Sequence, residues 1–216
     1  MSHLKRQSVP KSWPIPRKGT TFVVKPNFGF TGGIPLLILL RDMLKITKDR
    51  KEVKKAIHFK NILVNGREAR DEKEGILLFD VITIVPSKKS YKLSLSLKGK
   101  FELEEIKETE TEHKVAKVIG KKILKGKKVQ LNLSDGRNFL SDMKCKTNDS
   151  VLINFKKKKI ERCLPLKENS NAFVFAGKHA GATGKIEKIK EERKMATIES
   201  GSEKIHVLIK QFMVVE

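Results

Sequence analysis

Residues 35–67 read PLLILLRDMLKITKDRKEVKKAIHFKNILVNGR, and this stretch decides the fold. Pro35 suits the first turn of a helix that runs to about Lys45, because a missing N–H costs little there. Leu36, Leu37, Leu39, Leu40, Met43 and Leu44 wrap most of that helix. Arg41, Asp42 and Lys45 leave one polar strip, so the helix is mostly buried. A second helix starts at Asp49, which can cap it, while Glu52 at the third helical position reaches back. Val53, Ala56 and Ile57 fall on one face, and Lys51, Lys54, Lys55 and His58 on another. Like charges so closely spaced repel, and a bound phosphate would relieve them.

After these helices, Ile62-Leu63-Val64 runs into Asn65-Gly66 and Arg67. Asn-Gly is a strong two-residue hairpin signal, since both central positions need positive φ. Asp80 to Val85 is a further strand. Residues 36–90 therefore form two short helices and a small β-sheet. Basic groups stand on the second helix and beside the turn, at Arg67 and Arg70.

Upstream, residues 1–35 read as an extended basic arm, with Pro10, Pro14, Pro16 and Pro26 blocking helix. Lys5, Arg6, Lys11, Arg17 and Lys18 stand there without an acid. Trp13 is the only tryptophan. It either offers a surface on which a base stacks or anchors the arm on the protein itself. The arm is expected to order only on binding a partner.

Downstream, strand signals dominate. Tyr91 to Leu97 alternates strictly. Val115 to Ile119 is another strand, and Val129 to Leu133 turns at Ser134-Asp135-Gly136 and returns as Asn138 to Leu140. Val151 to Phe155 follows. Residues 91–168 thus read as an antiparallel β domain. The Lys156 to Lys159 run at its edge suits a solvated turn or an RNA contact. Residues 169–216 read as a further small β unit. In it, Gly177, Gly181 and Gly184 allow left-handed backbone and close approach by a partner.

Composition narrows the function. The 216 residues hold 47 Lys and Arg against 25 Asp and Glu, a net charge of +22, with 38% hydrophobic residues. The charge is not evenly spread. Residues 1–60 and 114–160 each carry +11, residues 61–113 carry −2 and residues 161–216 carry +2. Phe101 to Glu112 alone holds six Glu and one Lys. Two basic blocks suggest two contacts with a polyanion. Cys145 and Cys163 form no CxxC, so a disulfide framework or zinc site is poorly supported. The longest apolar run, Ile34 to Leu40, cannot span a bilayer. The five His lack metal-ligand spacing, and there is no phosphate-binding GxxxxGK[ST] loop. No metal, cofactor, small-molecule substrate, membrane or catalysis is expected.

Several blocks resemble, in order along the chain, the archaeal and eukaryotic S-four-e family of small-subunit ribosomal proteins. They are His3-Leu4-Lys5-Arg6 with Val9-Pro10-Lys11-Ser12-Trp13-Pro14, Ile34 to Asp42, Leu63 to Arg67, and Gln130 to Asn138. The resemblance implies an α+β, multi-domain chain: an S-four-type RNA-binding domain over 36–90, a central antiparallel β domain over 91–168, and a C-terminal SH3-like KOW barrel over 169–216. It implies a non-catalytic, cytoplasmic protein of the small ribosomal subunit, partnered by 16S-type rRNA and neighbouring ribosomal proteins. The alternative is a dissociable translation or RNA-processing factor. Arg41, Lys51, Lys54, Lys55 and Arg67 match the S-four-type contacts, and Gly177, Gly181 and Gly184 match the KOW glycines. The further candidate rRNA contacts are Lys5, Arg6, Lys11, Trp13, Arg17, Lys18, Arg70, Lys127, Lys128, Arg137, Lys156, Lys157, Lys178 and His179, with Gly66 and Gly136 as turn glycines. Where the family has Gly after the second helix, this chain has Lys60. Asn61 tolerates left-handed backbone better, so the helix end is expected to shift. The chain looks like a reduced archaeal-type version.

Overall fold

The computed structural model describes residues 3–27, 32–141, 143–190, 193–201 and 203–215, with the side chain of Lys127 outside that description. The fold is predominantly β with two short helical segments, in the α+β class. It divides into two compact units. The first comprises residues 1–95 and 100–112, the second residues 96–99 and 113–216.

In the first unit, β1 (Leu4–Lys5) pairs with β2 (Phe22–Val23), and β3 (Gly33–Pro35) with β6 (Gly75–Leu77). Pro35 is thus the last residue of a strand and the cap of the next helix, not part of its first turn. The amides of Leu36 and Leu37 are satisfied by the carbonyls of Glu74 and Glu72, at 2.9 and 3.0 Å. The first helix is α only over α1 (Leu36–Ile38) and widens to a π-helical turn over Leu39–Met43. Its end is marked by the Leu44 amide donating to Leu39 at 3.0 Å, and Lys45 follows at φ 54°. Leu36 to Leu40 are all buried, as the wrapped apolar pattern requires.

The second helix, α2 (Arg50–His58), begins where the capping signal places it. The Glu52 carboxylate accepts from the Lys48 and Asp49 amides at 2.7 and 3.5 Å. At its other end the Asn61 amide donates to Ala56 and the Lys60 amide to Ile57, at 3.0 and 2.9 Å. That pair of bonds is a Schellman motif. Lys60 itself, not Asn61, takes the left-handed conformation, at φ 58°. The helix end therefore does not shift, because the two bonds outweigh the steric cost of a Cβ there. Lys60→Gly is expected to stabilise the protein by about 0.5–1 kcal/mol, read as a raised denaturation midpoint. The lost Lys60–Glu68 pair, 3.0 Å and exposed, contributes little against that.

A five-stranded sheet in the order β5-β4-β7-β8-β9 completes this unit. Its strands are β4 (Ile62–Val64), β5 (Arg67–Glu68), β7 (Val81–Ile84), β8 (Lys89–Leu95) and β9 (Phe101–Ile106). The sheet crosses the expected boundary at residue 90. The Tyr91 strand pairs with β7, opposite Ile82, and with the acidic strand, opposite Glu105. Leu93 and Phe101 turn into the core, so the alternation that looked like a new domain extends the first one.

The arm is folded, not extended. Trp13 is 2% exposed and its indole N–H donates to the Gly33 carbonyl at 2.9 Å. The Phe101 amide donates to Ser12 at 2.8 Å. Burial of an indole with a satisfied N–H is a strong local anchor.

The second unit holds two antiparallel sheets. One has the order β12-β11-β10-β13-β14, from β10 (His113–Ile123), β11 (Val129–Leu133), β12 (Asn138–Leu140), β13 (Ser150–Asn154) and β14 (Lys159–Leu164). The other has the order β18-β17-β16-β15-β19, from β15 (Asn171–Val174), β16 (Thr183–Lys190), β17 (Met195–Ser200), β18 (Glu203–Leu208) and β19 (Phe212–Val214). The expected separation at 168/169 is bridged. Lys117 on β10 is 4% exposed and donates through Nζ to the carbonyls of Ile209 and, at 2.7 Å, Phe212. The Val214 amide donates to Ser150 Oγ at 2.9 Å. Cys145 is buried in the core of the first of these sheets, and both cysteines are free thiols.

Burial pulls the Lys117 ammonium down from 10.5 to about 8. Below about pH 8 both states carry the proton, and the cost of burying it is fully present. Between about 8 and 10.5 the unfolded chain binds the proton and the folded chain does not, so stability rises with pH. The neutral amine keeps two N–H groups for its two carbonyls. Denaturation midpoints of wild type and Lys117→Met across this window should show a rise specific to the wild type. Their difference cancels Cys163, whose thiol burial pushes up to about 12.

Candidate nucleic-acid interface

In the first unit the cations gather on two features. The first is α2. Val53 is fully buried, while Lys51, Lys54, Lys55 and His58 are exposed, as their spacing requires. Arg50 binds the buried carboxylate of Glu72, with Nε at 3.0 Å, and Lys54 Nζ lies 3.8 Å from the same oxygen. This pairing fixes one edge of the helix and leaves Lys51 and Lys55 facing solvent. Lys60 pairs with Glu68, bringing the β4–β5 hairpin beside the end of α2. Arg67 and Arg70 are exposed on and after that hairpin.

The hairpin turn is firmly held. Asn65 has φ 52° and Gly66 φ 72°, the two positive values that the Asn-Gly signal demands. Asn65 is buried. Its Nδ2 donates to Asp80 at 2.7 Å and its Oδ1 accepts from the Val81 amide at 2.9 Å.

The second feature is the folded arm. Lys5, Lys11, Arg17 and Lys18 are exposed. Arg6, Lys11, Arg17 and Lys100 help line a cavity of about 260 Å³ that has no acidic residue in its wall. Arg6 is committed to the arm itself, donating to Thr20 O at 2.7 Å, Pro16 O at 2.7 Å and Thr20 Oγ1 at 2.8 Å. It staples the 16–20 loop instead of reaching outward. Trp13, buried, presents no face for a base. Arg41 is half-buried and forms a two-point contact with Asp42 at 3.1 and 2.8 Å.

In the second unit the placement is more dispersed. Lys128, Lys156 and Lys178 are exposed and His179 is half-buried. Lys157 donates to Glu161 at 3.1 Å, and His113 Nε2 lies 2.9 Å from the other oxygen of that carboxylate. The Lys157 hydrogen bond first, with support from His113, holds the Glu161 carboxyl below the usual range. The Arg137 guanidinium lies 4.9 Å from the Phe155 ring centroid and 3.5 Å from Asp135. Asp135 also has Lys114 at 3.6 Å, both nearly fully buried. Arg137 is therefore partly spent on the β11–β12 turn, in which Gly136 takes φ 81°. Lys127 lies outside the described side chains.

The glycines of the 177–184 loop serve internal packing. A Cβ on Gly181 would lie 1.9 Å from the Ser96 carbonyl oxygen, and one on Gly184 2.1 Å from that of Glu199. Gly177 faces the Gln211 side chain. The close approach these residues permit is by the protein's own backbone.

One feature escaped the sequence reading. Phe59 is 59% exposed at the end of α2. The available signal was its position off the Val53, Ala56, Ile57 stripe, inside a run of cations. Among the described residues no group of His, Cys, Asp and Glu is placed to hold a metal ion, and no helix is long and apolar enough to cross a membrane.

Comparison with known proteins bears on this surface. The model of the ribosomal family S4e matches residues 87–160, and that of the RS4NT domain residues 2–29. The small ribosomal subunit protein eS4 of Methanocella arvoryzae is 36% identical, over 90% of this chain and 84% of its own length. That of Methanothermobacter thermautotrophicus is 34% identical, over 99% and 91%. The crystal structure of the 30S ribosomal protein S4e from Thermoplasma acidophilum superposes with a TM-score of 0.73 at 26% identity, covering 85% of this chain and 95% of that one. Identity at this level along nearly all of both sequences leaves no doubt of kinship: the chain belongs to the ribosomal family S4e.

Proposed function

We propose that this chain is a structural constituent of the small ribosomal subunit, binding and bracing 16S-type rRNA without catalysing a reaction. The observation that carries the proposal is the family membership, which spans 90% or more of the chain for two relatives named small ribosomal subunit protein eS4. The geometry supports it. Lys51, Lys54 and Lys55 project from a helix whose opposite face is sealed by Val53, and the arm presents a wall of cations. Such surfaces bind phosphate and release counterions, so affinity falls steeply with salt. A-form RNA is met through shape and backbone. The folded arm would offer its cations on a prebuilt surface, not on a thread that orders late. In the C-terminal sheet, the order β18-β17-β16-β15-β19 with a 3-10 turn before β19 supports an SH3-like barrel of the KOW type. Neighbouring small-subunit proteins and the cytoplasm complete the proposed setting.

Sedimentation of a native lysate through sucrose, with and without a high-salt wash, tests this reading. Stoichiometric retention on the small subunit is the expected result. A chain that stays at the top, or leaves at modest salt, would instead be a dissociable translation or RNA-processing factor.

A further inference from the structure

Phe59 is an aromatic ring held in the open by backbone geometry. It is the C-cap of α2, with φ −78° and ψ 5°, and its amide donates to Lys55 at 3.0 Å. The Schellman bonds from Lys60 and Asn61 immediately after it leave the backbone no freedom to turn the ring inward. The ring keeps 59% of its surface exposed. Lys55 Nζ stands over it, 5.9 Å from the centroid. The His58 ring meets it edge-on at 5.8 Å between centroids.

The rim of this ring is basic. Lys51, Lys54, Lys55 and Lys60 are exposed around it. The nearby acids are already engaged: Glu52 by the capping amides, Glu68 by Lys60, Glu72 by Arg50. An apolar protein partner covering Phe59 would strip water from these ammonium groups without neutralising them. A nucleotide supplies both requirements at once, a flat π-face for the ring and a phosphate for the cations. A base inside a duplex is already stacked on its neighbours, so the fitting ligand is an unpaired one.

We propose that Phe59 is a stacking platform for one unpaired nucleobase of RNA, with Lys55 moving to that nucleotide's phosphate. The proposal rests on the RNA-binding reading above and adds a chemical preference to it, for single-stranded or bulged RNA over perfect duplex.

The test uses the full chain and three probes: an oligoadenylate, a fully paired RNA hairpin, and small-subunit rRNA transcribed from the same genome. Phe59→Leu keeps an apolar side chain at an exposed site, and unchanged thermal denaturation would verify its fold. It should bind oligoadenylate about tenfold more weakly than wild type, the scale of one base–aromatic stack, with an unchanged salt slope. Phe59→Tyr should bind as wild type does, and hairpin affinity should not move. Lys55→Gln should instead lower the salt slope. Equal oligoadenylate affinity of Phe59→Leu and wild type would overturn the proposal, and would leave the ring to a protein contact. Wild-type binding to rRNA without binding to oligoadenylate would overturn it too, while sparing the RNA-binding reading. Failure of the wild type on all three probes would overturn both.

Discussion

Gly181→Ala is expected to destabilise the second unit by about 3 kcal/mol or more. Two costs combine. At φ 92° an L-residue is outside its favoured regions. The new Cβ would also stand 1.9 Å from the Ser96 oxygen and 2.5 Å from its carbon, both backbone atoms that no rotamer change moves aside. The control is Gly136→Ala, where φ is 81° but nothing lies within 4 Å of the new atom. It should cost only about 1 kcal/mol, the conformational part alone. Denaturant-dependent hydrogen exchange of the β15 and β16 amides reads the difference. Equal losses in the two variants would show that the 181 loop relaxes away from Ser96.

The second large effect concerns binding. Replacing Lys51, Lys54 and Lys55 together by Glu should reduce affinity for rRNA by more than about a hundredfold near physiological salt, and flatten the salt dependence by roughly three phosphate contacts. The fold should survive. All three residues are exposed, and the helix is retained by Val53 and its two caps. The only packed partner lost is the Lys54–Glu72 contact, and Arg50 continues to neutralise that carboxylate. Filter binding across a salt series, with circular dichroism as the fold control, tests this. Unchanged affinity would remove α2 from the interface.

Much of the first unit was legible because local rules agree there. Asp49 and Glu52 cap α2, Val53 seals it, and Asn65-Gly66 closes a two-residue hairpin. What could not be read depends on distant partners. Pro35 looks like a helix residue until Gly75 is known to pair with it. The strand from Tyr91 alternates just as well for a new domain as for an old sheet, and only Phe101 to Ile106 returning beside it decides. The basic face of α2 was visible as a spacing. Arg6 and Arg137 carried the same charge signal, yet contacts with Thr20 and with Asp135 and Phe155 occupy them. Charge counts do not separate a cation facing solvent from one stapling a loop. Trp13 left two readings, and only the Gly33 carbonyl distinguishes them.

The bridge from Lys117 and Ser150 has a consequence for synthesis. Both groups sit in strands made early in the second unit. Their partners, the carbonyls of Ile209 and Phe212 and the amide of Val214, come more than sixty residues later. β19 is also the strand that flanks β15. A growing chain therefore holds an unsatisfied buried ammonium and an open sheet edge until residue 214 clears the exit tunnel. The first unit has no such debt to the far end of the chain. It can fold on the nascent peptide and expose its α2 cations to RNA while the second is still being made.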